Sequence, residues 1–497
     1  MTPYRSSLRP PPGPSFRIPL AAVAAVAALA LFASGCGRDT PPPGAEAEPP
    51  PPAAAAVERA EKVHFNVPVY HRKLDNGLKV VVSPDNTAPV ATVAVYYKVG
   101  LRSEPKGLTG FSHLFEHMMF QGSENLPKGG FDQLISGNGG VIQGQTKPDT
   151  TLYYEVVPVH MIETVLWAEA DRMGRLTVNQ ENLDNQREVV KNEYRMKIQN
   201  QPYAEFISVE INQTAYENWQ NGHNFWGDME DLDAATLDTV SEFHETYYAP
   251  NNAVVVVVGD VDPDAVFAMV EKHFGDFKRR SQPKAPDLSE PVQEAEKRAN
   301  FVDPLAPQPA LAFAYHVPER GTPEYYAMGV IDLILVTGQD SLLYRRLVAE
   351  KGYASFVGGG INLMGGMFDY KGPMTWAGYL IHDQGQDPEA IVADFDDVIG
   401  TFRETLVDEA TLERAMTKFR SGFYESQGGR FGISRADMLA SFALFDDDPD
   451  AINRIEANMA AVTPEMIQQV ARDYLRPTNR SLLFLEAGAA GPQAGGQ

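Results

Sequence analysis

The arrangement of apolar and polar positions along the chain repeats once. Residues 240–252 alternate apolar and polar positions as a helix does, end in a proline-containing turn, and precede a β-branched strand over 254–258. Residues 467–479 show the same helix and proline turn and precede an apolar strand over 481–485. A polar, proline-containing stretch over 279–298 lies between the two copies and is typical of a linker. The pattern predicts two halves of related architecture.

Another helix is predicted over residues 112–120, where apolar side chains supply most of the bulk. Ser112 belongs to the residue types that cap helix N-termini, so we expect the helix to begin there. Gly107 and Gly110 precede the helix, and the glycine- and proline-containing loop 121–127 ends it. These apolar surroundings favour neutral imidazole for a histidine on the helix, which is the form that binds a metal.

This helix carries the sequence His113-Leu114-Phe115-Glu116-His117. Histidines four residues apart lie on one helix face, so both imidazoles can bind the same metal ion. Glu116 lies beside that face, close enough to exchange a proton with a water molecule at the metal. The order His-x-x-Glu-His is the inverted form of the His-Glu-x-x-His zinc-peptidase motif. The alternative, a helix with two partly exposed histidines and a surface glutamate, is weakened because the chain has only 10 histidines.

A catalytic zinc needs a third protein ligand and one open position for water. Residues 186–195 form a predicted amphipathic helix that carries two acidic residues, Glu188 and Glu193. The two are five positions apart and so do not share quite the same face, and only one of them needs to point at the metal. Most acidic residues on such a helix are simply solvated, so the pattern alone does not decide between them.

The N-terminal residues have the pattern of a secretory signal. Residues 1–17 contain three arginines and no acidic residue, residues 18–32 are an apolar run, and Ala33-Ser34-Gly35-Cys36 follows. We predict a lipoprotein-type cleavage site with Cys36 as the lipid-bearing residue, although Ala33 stands where such sites usually have leucine. A transmembrane anchor and a mitochondrial transit peptide are the alternatives for this segment.

The composition limits the class of protein further. The formal net charge is −24, from 42 basic and 66 acidic residues, so a broad basic surface for nucleic acid is not expected. One cysteine excludes an intramolecular disulfide and a thiolate zinc site. A chain of 497 residues with 43% hydrophobic content should form at least two globular domains. Residues 38–56 are mostly proline, alanine and glutamate and predict an extended tether.

The chain resembles the insulinase/pitrilysin-type zinc peptidases, and within them the short type that includes the mitochondrial processing peptidase subunits. Those proteins carry His-x-x-Glu-His and, at the distance that separates His117 from Glu193 here, a ligand glutamate. The resemblance covers roughly residues 65–485 and rests on further segments: the opening strand 74–82, the Glu-x-Asp-Arg-Met helix 169–173, the Tyr-x-Pro-x-Asn turn 247–253 and the strand 254–258 ending in Gly259-Asp260.

The resemblance implies an α+β fold of two homologous domains, each an antiparallel-rich sheet with helices packed on one face, as in the processing peptidases. The corresponding domains are a signal peptide over 1–36, a Pro/Ala-rich tether over 37–62, an N-terminal zinc-binding peptidase domain over 63–280, a linker over 281–298, a C-terminal homologous domain without metal over 299–488 and a flexible tail over 489–497.

The substrate-binding strand departs from the family pattern. We expect a peptide to add as a strand to a sheet edge near residues 140–155, using main-chain hydrogen bonds. Family members usually have Asn-Gly or Asn-Ala on that strand, whereas this chain has Gln143-Gly144-Gln145-Thr146. An auxiliary glutamate, seven residues before the ligand glutamate in some branches, is Gln186 here.

The second half has no copy of the histidine motif. The offset of the repeat places its counterpart near 340–344, which contains no histidine. Related one-chain enzymes carry an arginine and, seven residues later, a tyrosine that hold the substrate carbonyl in the transition state. Val348 and Ser355 stand at those positions, and a shifted register would be needed to bring in Arg345, Arg346 or Tyr353.

These observations predict a zinc endopeptidase that cleaves extended or unfolded peptides and binds one Zn²⁺ per chain. His113, His117 and Glu193 are the predicted ligands, Glu116 is the catalytic base, and Glu188 is a secondary acidic residue near the site. We expect a heterodimer with a homologous subunit that lacks zinc, and a homodimer is the alternative.

Two other functions are open at this point. One is a non-catalytic assembly or binding subunit of the same fold, and the other is a metallohydrolase of small non-peptide substrates. The predicted location is the bacterial cell envelope, with the protein held on a membrane by its lipid anchor and the catalytic part in the periplasm.

Overall fold

The computed structural model describes residues 64–363 and 365–488. The predicted signal peptide, its Cys36, the tether over 37–62 and the tail over 489–497 lie outside the described residues, so these features stay predictions. No helix within the described residues is both long enough and apolar enough to cross a membrane.

The first half of the chain forms a six-stranded sheet. Its strands lie in the order β1-β2-β6-β3-β5-β4, with β2 and β6 parallel and the other neighbours antiparallel. Among the strands of the described residues, β4 has a neighbour on one side only and is therefore an edge strand. The strands are β1 (Tyr70–Lys73), β2 (Lys79–Pro84), β3 (Val90–Tyr97), β4 (Val141–Thr146), β5 (Thr151–Pro158) and β6 (Ala253–Gly259).

The second half forms a five-stranded sheet with the same topology. Its order is β7-β11-β8-β10-β9, and its one parallel pair is β7 with β11. Matching this order to β2-β6-β3-β5-β4 makes β9 the counterpart of β4. The α+β class and the two related sheets predicted from the sequence are thus confirmed. The strands are β7 (Lys297–Asp303), β8 (Ala310–His316), β9 (Gly358–Ile361), β10 (Thr375–Ile381) and β11 (Arg480–Ala487).

Helices connect the strands in both halves. Three short π-helical stretches, Arg195–Gln199, Phe206–Glu210 and Tyr344–Glu350, accompany them. The α-helices are α1 (Phe111–Met118), α2 (Gly130–Ser136), α3 (Ile162–Arg175), α4 (Gln180–Tyr194), α5 (Ile211–Ala215), α6 (Trp219–Gly222), α7 (Met229–Ala234), α8 (Leu237–Tyr247), α9 (Pro263–Phe274), α10 (Pro323–Leu335), α11 (Pro388–Glu404), α12 (Glu409–Gly428), α13 (Ile433–Phe445), α14 (Ile455–Ala460) and α15 (Pro464–Tyr474).

One asparagine in each half fixes the repeated helix–turn–strand unit. The Asn252 side chain, between α8 and β6, donates to the carbonyl oxygens of Tyr247 and, just after β3, Lys98. Between α15 and β11, Asn479 makes the equivalent bonds to Tyr474, at 2.7 Å, and to the last residue of β8, at 2.9 Å. The side-chain amide thus ties the end of a helix to the neighbouring strand in both halves.

The offset between the halves is not constant along the chain. It is 227 residues at Asn252 and Asn479, but 218 residues between Lys98 and its equivalent His316, which receive the same hydrogen bond. The placement of the motif's counterpart near 340–344 was therefore wrong. The offset of 218 residues, measured at the ends of β3 and β8, places the counterpart of 113–117 at residues 331–335, at the end of α10. This segment also contains no histidine.

The central strands of the first sheet are buried on both faces, which explains the unbroken valine run of β6. Val255 and Val257 face the core formed with helices of the first half, including α1, α3 and α9. Val256 and its same-face neighbours point the other way and pack against α13, which comes from the second half.

In the same way, a helical segment of the first half packs against the second sheet. Ala310, Ala312 and Ala314 of β8 face Phe206 and Ile211, which belong to the segment ending in α5. The two halves therefore exchange helical segments and share buried surface. Helix α13 of the second half packs on the first sheet, and α5 of the first half packs on the second sheet. The predicted domain limits 63–280 and 299–488 therefore do not separate two independently packed units, and they stay predictions.

Candidate metal centre

Helix α1 is fixed in place by a buried carboxylate at its N-terminus. The helix begins at Phe111 after Gly110, whose φ of 80° is left-handed, so the predicted start with Ser112 as the cap was wrong. Glu104, fully buried, accepts hydrogen bonds from the backbone N–H groups of Gly110 at 2.8 Å and Ser112 at 2.7 Å. An anion at this end of a helix satisfies free N–H groups and interacts favourably with the helix dipole.

Replacing Glu104 with glutamine is expected to lower the free energy of unfolding by about 1–3 kcal/mol. The reason is that one of the two backbone N–H groups then faces the NH2 group of glutamine, which cannot accept a hydrogen bond. Urea unfolding followed by circular dichroism measures the change. Glu124→Gln, at an exposed side chain that pairs with Arg175, is the control and should leave the value unchanged. Equal stability of both variants would mean that Glu104 does not hold the helix.

The three predicted ligands come together between α1 and α4. His113 and His117 lie on one face of α1, and Glu193 reaches them from the last turn of α4. His117 Nε2 is 3.2 Å from Glu193 Oε2, and His113 Nε2 is 3.8 Å from Glu193 Oε1. One ligand atom from each residue lies within 4.8 Å of the other two. Two imidazoles and one carboxylate are a known set of protein ligands for a catalytic zinc.

The protonation states of His113 and Glu193 fit a cation, whereas the pKa of His117 is raised, against burial, by its hydrogen bond to Glu193 and by the neighbouring carboxylates. Burial and the neighbouring His117 lower the pKa of His113 to about 4, which leaves its imidazole neutral. Burial alone would raise the pKa of Glu193, but the hydrogen bond with His117 and the nearby charges lower it to about 2. A neutral imidazole and an ionised carboxylate are the protonation states that a metal needs.

The imidazole of His113 is also packed from the side. The Trp226 ring meets it edge-on, with centroids 5.6 Å apart and an interplanar angle of 86°. Trp226 in turn stacks on Tyr194, the last residue of α4. This aromatic wall connects the two ligand helices, and no sequence pattern pointed to it.

Glu116 lies on the same helix but contacts the edge strand instead. Thr146 Oγ1, at the end of β4, donates to Glu116 Oε2 at 2.7 Å. Burial raises the pKa of Glu116, although this hydrogen bond opposes the shift. A carboxylate whose pKa is raised toward neutrality suits an exchange of protons with water.

The edge strand and α1 approach each other closely. A Cβ atom on Gly144 would lie 3.1 Å from Glu116 Cγ and 3.0 Å from the Phe120 ring, so a larger residue would force these side chains to shift by a few tenths of an ångström. Gly144 and Thr146 face the helix, whereas Gln143 and Gln145 are exposed. The four residues predicted as substrate contacts thus lie on the free edge beside Glu116, and their contact with a substrate stays a prediction.

Two further side chains, Gln186 and Lys197, lie next to the predicted ligands. Gln186 is buried and hydrogen-bonded to His117, so the neutral replacement of the auxiliary glutamate still contacts a predicted ligand. Lys197 Nζ lies 2.5 Å from Glu193 Oε1. The four-residue spacing of glutamate and lysine could have indicated this pair.

Glu188 does not join the three clustered ligands. Its side chain is exposed and lies 3.6 Å from Lys191 Nζ, and the metal-ligand group in the described residues does not include it. Glu188 is therefore not grouped with the three ligands, and its role as a secondary acidic residue near the site stays a prediction. Its position five residues before Glu193 turns it to another face of α4.

Two of the second-half residues considered for transition-state binding, Arg346 and Tyr353, have another partner. Arg346 and Tyr353 both bind Asp394 in α11, at 2.5 Å and 2.6 Å. Val348 packs against the second-half core, and Ser355 is exposed. To take the places of the arginine and tyrosine in the related one-chain enzymes, Arg346 and Tyr353 would thus have to give up their interactions with Asp394.

Comparison with known proteins assigns the chain to a family. The model of the insulinase family, peptidase family M16, matches residues 79–227, and the model of the peptidase M16 inactive domain matches residues 234–419. Together the two models match more than half of the chain, which therefore belongs to peptidase family M16.

Individual relatives agree with this assignment. Zinc protease PqqE of Helicobacter pylori is 27% identical over 422 residues, which cover 83% of this chain and 91% of the relative. A probable mitochondrial-processing peptidase subunit beta of Arabidopsis thaliana is 24% identical over 265 residues, covering 53% of this chain and 49% of the relative. The crystal structure of a protease from Helicobacter pylori superposes with a TM-score of 0.78 and 25% identity, covering 85% of this chain and all of that one.

Proposed function

We propose that this chain is a zinc-dependent endopeptidase that cleaves extended or unfolded peptides. The observation that carries the proposal is the convergence of His113, His117 and Glu193 beside a carboxylate, Glu116, that lies against a free sheet edge. Family membership and the name of the Helicobacter pylori relative, a zinc protease, support zinc as the metal.

Each side chain at the site has its own role in the proposed reaction. When bound to the three ligands, zinc lowers the pKa of a water molecule and polarises the scissile carbonyl. Glu116 takes the proton from the attacking water and later delivers it to the leaving amine. Thr146 holds the Glu116 carboxylate through its hydroxyl, so that one carboxylate oxygen is fixed and the other remains available. Gln186 is the side chain next to His117 that is placed to orient its imidazole.

The edge strand determines the kind of substrate. Strand β4 pairs with β5 on one side, and its other side offers unpaired backbone groups to a peptide. A peptide can use them only in an extended conformation, which excludes the folded interior of a protein. Binding through the main chain also implies weak sequence preference, since side chains contribute little to it.

A second subunit completes the proposed enzyme. Val348 has no side-chain donor for the developing oxyanion, Ser355 replaces the tyrosine of the related enzymes, and Arg346 and Tyr353 are bound to Asp394. We propose that a homologous subunit without zinc supplies these groups, and a homodimer is the alternative. The Arabidopsis thaliana relative is named as a probable subunit beta of the mitochondrial processing peptidase. The competing proposal, a non-catalytic subunit, has no need for an ionised Glu193 beside two histidines.

The purified chain, as a monomer, is expected to cleave unfolded casein slowly and to spare compactly folded proteins. The missing oxyanion donors should cost roughly 3–4 kcal/mol of transition-state stabilisation, or about 10²–10³-fold in rate. Activity measured across a size-exclusion column, with and without a chelator, checks this. Activity that elutes only with a dimer would favour the homodimer. Rapid cleavage by a monodisperse monomer would contradict both assemblies, and cleavage that resists the chelator would contradict the proposed metal chemistry.

A further inference from the structure

The turn between β4 and β5, residues 147–150, is buried, although hairpin turns normally lie at the surface. It carries two charged side chains, Lys147 and Asp149, which are 6% and 9% exposed. Burying charges costs free energy unless each is paired and hydrogen-bonded. The partners of this turn therefore decide where it can lie.

The lysine has its partners in the second half of the chain, and Asp149 has partners in both halves, since it also pairs with Arg102 of the first half at 3.4 Å. Lys147 Nζ is 2.7 Å from Asp437 Oδ2 in α13 and 3.6 Å from Asp369 Oδ1. Asp149 Oδ2 accepts from the backbone N–H groups of Lys371 at 2.7 Å and Gly372 at 3.0 Å. Burial alone would lower the pKa of Lys147, but the two carboxylates raise it, so the ammonium remains charged.

The first half holds the backbone of the turn but does not pair its lysine. The N–H groups of Leu101 and Arg102 donate to the carbonyl oxygens of Lys147 and Pro148. The ion pairs of the Lys147 ammonium within the described residues are those to Asp437 and Asp369. A change at Asp437 therefore leaves a buried charge short of a partner, and the turn must move or admit water.

The turn is directly connected to the candidate metal centre. Lys147 follows Thr146, whose hydroxyl donates to Glu116 at 2.7 Å. Gly144, two residues earlier in β4, has no space to spare against Glu116. A displacement of the turn by about 1 Å would take the Thr146 hydroxyl out of hydrogen-bond range of Glu116.

We propose that Asp437, together with Asp369, is a positioning residue: through Lys147, the second half holds the end of β4 in register with Glu116. The catalytic consequence rests on the proposed peptidase function, whereas the placement of β4 does not. The half of the chain without metal ligands would thus contribute to the chemistry by fixing the strand that carries the substrate.

The test compares Asp437→Asn with Asp85→Asn. Asp85 pairs with Arg435 at 3.0 Å, so this control breaks another ion pair between α13 and the first half without touching β4. Asp437→Asn is expected to lower kcat about tenfold or more, with zinc content unchanged because both ligand helices are untouched. Asp437→Glu should recover part of the loss, and Asp85→Asn should keep the parent kcat.

Hydrogen exchange provides a readout that does not depend on activity. Backbone amides over residues 141–150 should exchange faster in Asp437→Asn and at the parent rate in Asp85→Asn. Equal exchange and equal kcat in the two variants would overturn the proposal and leave the ion pair a general contribution to stability. If the parent proves inactive while exchange over 141–150 still rises in Asp437→Asn, the proposed function fails and the positioning of β4 stands.

Discussion

Replacing Glu116 with glutamine is expected to lower kcat by about 10²–10⁴-fold while the protein keeps its fold and its zinc. Glutamine has nearly the same shape and can still accept the hydrogen bond from Thr146. It cannot take a proton from water, so the loss falls on the chemical step. Cleavage of a fluorogenic unfolded peptide at saturating concentration measures kcat, and metal analysis of the same samples measures zinc.

The control for this variant is Glu124→Gln, which removes an exposed carboxylate paired with Arg175. It should behave like the parent in both measurements. A Glu116→Gln protein that retains more than about a tenth of the parent kcat would assign the base to another group. A loss of zinc in the same variant would mean that Glu116 acts on the metal site and not on water.

Replacing Glu193 with glutamine is expected to weaken zinc binding by more than about 100-fold, since a direct ligand should matter more than the surrounding groups, which contribute 10–100-fold. The neutral amide loses the negative charge, which weakens its attraction to the metal and to His117, 3.2 Å away. Competition with a chromophoric chelator measures the affinity, and activity should fall in proportion to the zinc lost.

Glu188→Gln is the matched control on the same helix. Glu188 is exposed and pairs with Lys191, so its replacement should leave zinc affinity unchanged. Zinc retained at parent affinity in Glu193→Gln would remove Glu193 from the ligand set. A comparable loss in both variants would indicate a general effect of the charge of α4.

The sequence predicted the local parts of the site best. The four-residue spacing of His113 and His117 is a property of any helix, so their common face did not depend on the rest of the fold. The choice of Glu193 over Glu188 depended on the resemblance to known peptidases, because both fit an amphipathic helix. The edge position of residues 143–146 also followed from the resemblance, since strand order is a long-range property.

The parts that could not be predicted depend on distant contacts. Ser112 has the chemistry of a helix cap, but Glu104 performs the role because it is buried against the helix start. Lys147 and Asp437 are 290 positions apart, and nothing in either segment indicates the other. The packing of α13 on the first sheet could likewise not be predicted, because the sequence pattern of one helix does not show which sheet the helix packs against.

The account depends most on the claim that His113, His117 and Glu193 hold one zinc ion. Anomalous X-ray diffraction on crystals of the purified protein, recorded on both sides of the zinc absorption edge, tests it directly. We expect a single anomalous peak per chain, within bonding distance of His113 Nε2, His117 Nε2 and a carboxylate oxygen of Glu193. A zinc-loaded crystal with no peak at these three side chains, or with its peak elsewhere, would contradict the account.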